Sequence, residues 1–182
     1  MLNNLNMKKY IFTQLTLILV SLFSFSQDCK YKTNEIDKFE KVEKVLTEQV
    51  KVVYPTWSGT FVFFSLGRVS EEYYLNMGFI SNKKCCFNSK NNELLLMSNK
   101  DSIYRLKRIN DEIICNGNDI CSVLYDISKE TLLKLKNDTI KSMRIYTSDS
   151  YIDVDMINGN TNKERAKNYF KNTIDCIIKK TE

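Results

Sequence analysis

Apolar residues recur along much of the chain at alternate positions or in short unbroken runs, which is typical of β-strands. Short polar segments rich in Ser, Asn, Asp and Glu separate these stretches into pairs, and each pair predicts a β-hairpin. The predicted strand pairs are residues 60–69 with 73–80, 93–97 with 103–109, and 141–146 with 151–156. Three such hairpins indicate a mostly antiparallel sheet.

The strand predicted at residues 103–109 has two different faces. Arg105 and Lys107 share one face with an isoleucine at either end, whereas Tyr104 and Leu106 share the other. We expect the basic face to be solvated, because an antiparallel sheet commonly has one face in water.

Residues 36–53 fit two patterns. Their apolar residues have helical spacing, whereas their Val and Thr content favours a strand. We predict a strand in this segment.

Two helices are predicted in the last third of the chain. Ser128 can cap a short helix that ends at Lys136, and Thr161 with Glu164 forms a capping box for a second helix. The short helix has Leu132, Leu133 and Leu135 available for burial, and one apolar stripe of the second comprises Ala166, Tyr169, Phe170, Thr173, Ile174, Ile177 and Ile178. The predicted class is therefore α+β: a mostly antiparallel sheet, as a sandwich or an open barrel-like sheet, with the C-terminal helix packed on it.

The N-terminal segment has the composition of a signal peptide. Two lysines precede an apolar segment at residues 11–23, and small residues then occupy the −3 and −1 positions before Gln27. The apolar segment is short for a transmembrane helix, and no later stretch is apolar enough to cross a bilayer. We predict a signal peptide at residues 1–26, a single domain at residues 27–182, and a secreted or periplasmic location.

Several segments of the chain resemble a group of secreted bacterial proteins of uncharacterised activity. The matching segments are residues 34–39, residues 127–132, residues 144–151 and the end of the last helix at Cys176 and Ile177. The resemblance implies a shared β-rich fold with a C-terminal helix, and export. It assigns no catalytic residue.

The composition excludes several kinds of chemistry. The 182 residues include no histidine, which excludes Ser-His-Asp and Cys-His nucleophile systems and every His-ligated metal site. The net charge of +5 falls to +3 when the two lysines of the leader are removed, and no basic run exceeds two residues. The sequence therefore predicts no nucleic-acid partner.

All six cysteines follow the predicted leader, which in an exported protein indicates disulfides. If the turn of the second hairpin centres near residue 100, facing residues sum to about 200, and Cys85 faces Cys115. The expected bridges are Cys85–Cys115, Cys86–Cys121 and Cys29–Cys176. The alternative is a redox or soft-metal site at Cys85 and Cys86, whose thiols lie beside two lysines in the sequence.

Other candidate chemistry is sparse. Asp153 and Asp155 share one face of a predicted strand and are candidate binding residues, and their spacing would also suit a pair of catalytic carboxylates. Glu71 and Glu72 form a second acidic pair. Tyr54 and Trp57 flank the only proline and are candidates for an exposed binding surface.

These observations favour an exported, non-catalytic domain that binds a ligand or partner in the cell envelope or outside it. They predict no cofactor, no metal and no membrane span after cleavage of the leader. The alternatives are a carboxylate-based hydrolase and a thiol redox or metal-handling protein.

Overall fold

The structure of the protein is a computed structural model. It describes residues 29–53, 61–80, 85–87, 93–109, 114–116, 121–147, 151–156 and 161–178. The predicted signal peptide, Tyr54 and Trp57 lie outside these ranges.

The described residues form antiparallel strands and two helices. In chain order the elements are β1 (Tyr31–Ile36), β2 (Glu43–Thr47), β3 (Val50–Val53), β4 (Phe61–Val69), β5 (Glu72–Ile80), β6 (Cys85–Phe87), β7 (Glu93–Ser98), β8 (Ile103–Lys107), β9 (Ile114–Asn116), β10 (Cys121–Asp126), α1 (Lys129–Lys136), β11 (Ile140–Tyr146), β12 (Tyr151–Asp155) and α2 (Thr161–Ile177). One sheet has the strand order β1-β2-β4-β5-β10 with β3 also paired to β4, a second has the order β12-β11-β7-β8, and β6 pairs with β9. The predicted class, α+β with an open antiparallel sheet, is confirmed.

The two larger sheets meet at the edges formed by β8 and β10. Arg108 forms an isolated antiparallel bridge with Tyr125, and the backbone N–H of Ile109 donates to the carbonyl oxygen of Leu124 at 2.9 Å. Because these bonds join the edge strands, backbone pairing continues from one sheet into the other.

The core lies between the inner faces of the two sheets and helix α2. Phe64 on β4 packs edge-on against Tyr169 at 5.1 Å and stacks on Phe170 at 5.9 Å, measured between ring centroids. Leu75, Met77, Leu94, Leu96, Met143, Ile145, Leu132, Leu135, Ile174 and Ile177 are also buried in this one cluster. Helix α2 therefore completes the core.

Strand β4 and the start of the described chain are both fastened to the end of helix α2. The guanidinium of Arg68, which is buried, donates to the carbonyl oxygen of Ile177 at 2.8 Å, and the hydroxyl of Tyr31 donates to that of Cys176 at 3.0 Å. These bonds satisfy carbonyl groups that a helix C-terminus otherwise leaves without partners. Cys176 is also disulfide-bonded to Cys29, with their Cα atoms 5.6 Å apart, so this predicted bridge is confirmed.

Local sequence patterns predicted most of the elements correctly. All three hairpins form; Ser128 is the N-cap of α1, accepting from the backbone N–H of Thr131; and Ala166, Tyr169, Phe170, Ile174 and Ile177 form the buried stripe of α2. The predicted solvation of Arg105 and Lys107 is confirmed.

Two local predictions need correction. The choice of strand over helix for residues 36–53 is confirmed, but the segment holds two short strands, β2 and β3, after the end of β1 rather than one strand, and Phe39, which fitted the helical spacing, is 97% exposed. Leu133 is 47% exposed, because only Leu132 and Leu135 lie on the side of α1 that packs on the core.

The register of the second hairpin changes along its length. In the β7–β8 pair Glu93 faces Lys107, as a turn centred on residue 100 predicts. In the β6–β9 pair, which is farther from that turn, Cys86 faces Cys115 and Cys85 faces Asn116. The prediction that Cys85 faces Cys115 is therefore wrong by one residue, since the segments between the two strand pairs differ in length. The side chains of Cys85, Cys86, Cys115 and Cys121 lie outside the described part of the structure.

Candidate functional site

The predicted acidic pair lies on the outer face of β12, away from the core. Asp153 accepts from the Nε and Nη2 atoms of Arg144, each at 2.7 Å, and the guanidinium lies 4.0 Å from the ring centroid of Tyr151. This carboxylate raises the pKa of the Arg144 guanidinium. Both carboxylate oxygens of Asp153 therefore take part in a bidentate ion pair with Arg144.

Asp153 and Asp155 line a shallow cavity of about 370 Å³ on the outer face of the second sheet. Leu95, Met97 and Ile103 contribute its apolar side. Since both carboxylates are exposed, they lack the apolar burial that prepares a carboxyl group to act as a general acid near neutral pH.

The second acidic pair, Glu71 and Glu72, lines a groove of about 980 Å³ at the junction of the two sheets. We call it the junction groove. Tyr74, Ile109 and Leu124 supply its aromatic and apolar side chains, and Lys107, Asp126 and Lys129 supply further charges. The junction groove therefore combines apolar surface with groups of both signs.

Strand register explains why these residues come together. Asp126 faces Tyr74 and Leu124 faces Asn76 across the β10–β5 pair, so all four side chains lie on the outer face. At the end of β8, Lys107 and Ile109 flank the bridge residue Arg108 and are exposed, whereas Arg108 is buried. The bridge to Tyr125 therefore brings the outward residues of β8 beside those of β10.

Apolar side chains in the junction groove remain accessible to solvent. Leu124 is 39% exposed, although it lies between the buried core residues Val123 and Tyr125, and Ile109 is 53% exposed. Burial raises the pKa of the Tyr74 hydroxyl, so the phenol remains neutral at physiological pH. A neutral phenol beside two aliphatic side chains is a surface that favours apolar and aromatic groups.

A glycine on the neighbouring strand determines where Tyr74 lies. A Cβ atom placed on Gly67, which faces Tyr74, would be 2.2 Å from the Cζ atom of the tyrosine ring. The ring therefore occupies the space above Gly67, as Phe63 does above Gly78, where the corresponding distance is 2.1 Å. Aromatic side chains laid over glycines stabilise strand pairs.

Elsewhere, one buried carboxylate accepts a hydrogen bond from a tyrosine whose pKa is raised. Asp138 accepts from the hydroxyl of Tyr104 at 2.5 Å and pairs with the ammonium of Lys100 at 2.7 Å. These contacts lower the pKa of Asp138, while burial and the hydrogen bond raise the pKa of Tyr104 to about 12. The cluster ties the loop before β11 to the β7–β8 hairpin, which is a structural role.

Sequence reasoning identified Glu71 and Glu72 as an acidic pair but did not predict that Tyr74, Ile109 and Leu124 come together beside them. Leu124 and Ile109 are 15 positions apart in the sequence and meet only through the joining of the two sheets. The one feature of the sequence that could have indicated this site is Leu124, an apolar residue at an outward-facing position between Val123 and Tyr125 in β10. Alternation marks such a leucine as outward-facing, but it does not show what lies beside it.

Within the described ranges, no three His, Cys, Asp or Glu side chains are grouped as metal ligands would be. No helix in those ranges is long and apolar enough to span a membrane. Comparisons with protein-family models, with curated proteins and with solved structures found no match.

Proposed function

We propose that this chain is an exported, disulfide-linked binding domain that holds its ligand or partner in the junction groove without catalysing a reaction. The proposal rests on the exposure of Leu124 and Ile109, which lie beside Tyr74 on a surface formed by strand pairing. Concave sites that combine apolar surface with a few polar groups are the usual form of a binding site.

The Cys29–Cys176 disulfide supports export. It joins residues 147 positions apart, beginning just after the predicted cleavage site. Structural disulfides persist mainly in oxidising compartments. The predicted leader and the bridge therefore favour the same location, outside the cytoplasm.

The exposure of the acidic groups favours binding over hydrolysis. Glu71, Glu72 and Asp126 are all exposed, so none is desolvated as a general acid in an apolar pocket would be. Carboxylates at the rim of an apolar groove instead act as specificity groups that select charge on a ligand.

Photo-crosslinking in the producing cell tests the binding proposal. A benzoylphenylalanine at position 124 places the reactive group in the junction groove, and the same residue at position 133 provides a control on the exposed side of α1. We expect a defined adduct from position 124 and none from position 133. Equal or absent labelling at the two positions would contradict the groove as a binding site.

A further inference from the structure

Strand β1 lies outside the hydrophobic core. None of its six side chains is buried, Ile36 is 67% exposed, and only Thr33 is half-buried. Every other strand whose side chains are described contains at least one buried residue. Since apolar burial is the main contribution that holds a strand in a fold, β1 has the weakest attachment to the core among these strands.

Backbone pairing also gives β1 a limited attachment. Among the described strands β1 pairs only with β2, and the register shifts between Tyr31 and Thr33. An irregularity of this kind interrupts the ladder of hydrogen bonds near the Cys29 end of the strand. At that end, the backbone N–H of Glu48 donates to the carbonyl oxygen of Lys30 at 3.0 Å. The strand therefore depends on a single, interrupted ladder.

The end of helix α2 supplies two further contacts to the start of β1. The disulfide joins Cys29 to Cys176, with their Cα atoms 5.6 Å apart, and the hydroxyl of Tyr31 donates to the carbonyl oxygen of Cys176 at 3.0 Å. Both contacts reach one residue of α2, and one of them is covalent. The disulfide therefore gives β1 the attachment that core packing gives to the other strands.

The turn that follows β1 has hydrogen bonds of its own. The Oδ1 atom of Asp37 accepts from the backbone N–H groups of Phe39 at 2.9 Å and Glu40 at 3.0 Å. Its Oδ2 atom accepts from the Nζ atom of Lys44, on β2, at 2.7 Å. None of these bonds involves α2 or the disulfide. The turn can therefore stay attached to β2 while the other end of β1 moves away.

The disulfide lies near the surface of the molecule. Both cysteines are half-buried, and Cys176 lines an open cavity of about 380 Å³ together with Lys30, Glu48 and Arg165. Accessible disulfides are more labile than those enclosed in a core. The position of this bond therefore allows an external thiol to attack it in the folded protein.

We propose that the Cys29–Cys176 disulfide is a redox latch, which holds β1 on β2 when it is oxidised and releases β1 when it is reduced. The rest of the fold persists in both states. Release uncovers the backbone N–H and C=O groups of β2 that pair with β1, and an uncovered edge can pair with another strand. The junction groove lies at the opposite edge of the first sheet, on β5 and β10, so the latch is independent of the proposed function.

The reductant in this step is a protein dithiol. Its first thiolate attacks one sulfur of the bridge, forms a mixed disulfide and releases the other cysteine as a thiolate, which takes up a proton. Its second thiol then loses its proton and attacks the mixed disulfide, which releases the remaining cysteine. Two electrons pass to this chain: the reductant leaves as a disulfide, and Cys29 and Cys176 become thiols.

Reduction of the oxidised protein, purified from the producing cell, tests whether the latch opens in the folded state. Dithiothreitol is the probe, and alkylation followed by peptide mapping reports the thiols of Cys29 and Cys176. We expect the reduction rate to change by less than about twofold with urea below the unfolding transition, because local opening exposes little surface. A rate that rises steeply with urea, in parallel with global unfolding, would overturn the inference.

Hydrogen exchange of the double variant Cys29→Ser/Cys176→Ser tests the release of β1. We expect the protected amides of residues 31–36 to exchange at least about tenfold faster than in the oxidised wild type, approaching the rate of an unstructured peptide. The amides of the β7–β8 hairpin, residues 93–107, should remain protected. Unchanged protection in β1, or a loss of protection in both segments, would overturn the inference.

A matched control removes the other contact between β1 and the end of α2. Tyr31→Phe deletes the hydrogen bond to Cys176 and keeps the disulfide, so the exchange of β1 should change by about threefold or less. An effect as large as that of the double variant would show that the hydroxyl holds the strand, and would overturn the latch.

Reoxidation tests reversibility. After dithiothreitol is exchanged for glutathione disulfide, the Cys29–Cys176 bridge should form again and the amides of β1 should regain the protection of the untreated protein. A bridge that forms again without restoring protection, or that does not form, would overturn the proposed switch.

Discussion

At the scale of single residues, Asp37 shows how a half-buried side chain can organise a turn. Its hydrogen bond from Lys44, followed by those from the backbone of Glu40 and Phe39, lowers its pKa from 3.8 to about 2. Because the folded pKa lies below the unfolded one, the stabilisation is complete above pH 3.8 and is lost as the pH falls toward 2.

The titration of Asp37 can be followed directly through its carboxyl carbon chemical shift. We expect a midpoint of about 2 in the native protein. Lys44→Met removes the largest cause and should raise the midpoint toward 3.8, whereas Lys32→Met, on the same hairpin, should leave it unchanged. A native midpoint near 3.8 would show that these bonds do not persist in solution.

The hydroxyl of Thr47 is the centre of a buried polar contact. It donates to the carbonyl oxygen of Leu66 at 3.0 Å, accepts from the N–H of Leu66 at 3.1 Å, and lies 2.5 Å from the hydroxyl of Tyr169. Thr47→Val keeps the shape but removes the hydroxyl, leaving the groups around it with fewer partners.

We expect Thr47→Val to lower the free energy of unfolding by about 1–3 kcal/mol, since buried polar groups lose bonds that water cannot replace. Thr33→Val on the half-exposed edge strand β1 is the matched control and should change stability by less than about 0.5 kcal/mol. Urea titration measures both. Equal effects would show that the Thr47 bonds add nothing beyond strand propensity.

At the scale of elements, the sequence correctly predicted those elements that depend on interactions between residues close together in the chain. Each hairpin has its turn and both strands within about 20 residues, so the alternation of apolar residues and the composition of the turn suffice to predict it. The start of α1 was predicted from one residue, the N-cap Ser128. The pairing of β10 with β5 and the bridge from Arg108 to Tyr125 have no local signal. The junction groove depends on those pairings, and so the sequence pointed to Glu71 and Glu72 as a pair but not to the groove that they line.

Helix α2 supplies a large part of the core. Phe170 is fully buried and stacks on Phe64, so Phe170→Ala should cost about 3–5 kcal/mol, whereas Lys171→Ala on the exposed side should cost little. A chain that ends at residue 160 should fail to fold cooperatively. Thermal unfolding of the three variants measures this, and an unchanged melting point in the truncated chain would show that the helix is dispensable.

At the scale of the whole molecule, the junction groove and the contacts that fix the fold share the first sheet. The end of this sheet with the β4–β5 turn holds the β1–β2 connection, residues 37–42, and the edge of the junction groove. Helix α2, which completes the core, is tied to the start of the described chain by the Cys29–Cys176 disulfide. A surface presented on strands held in this way keeps its shape without a ligand, as a preorganised binding surface requires.

The disulfide should contribute a large part of the stability. In the chain-entropy model, closing a loop of 147 residues lowers the entropy of the unfolded chain and so raises its free energy by about 5 kcal/mol. The free energy of unfolding of a typical domain is about 5–15 kcal/mol. We therefore expect the double variant Cys29→Ser/Cys176→Ser to melt well below the oxidised wild type. A melting temperature equal to that of the wild type would contradict this contribution.

The same variant separates the two hypotheses for the other four cysteines. If Cys85, Cys86, Cys115 and Cys121 form structural disulfides, the double variant should contain no free thiol, and a reductant should lower its melting temperature further. If they form a redox or metal site, thiol counting should find free thiols, and copper or zinc should bind with release of protons. Non-reducing peptide mapping then identifies the pairing. Since Cys86 faces Cys115 in the backbone register, a bridge between these two is the pairing we expect.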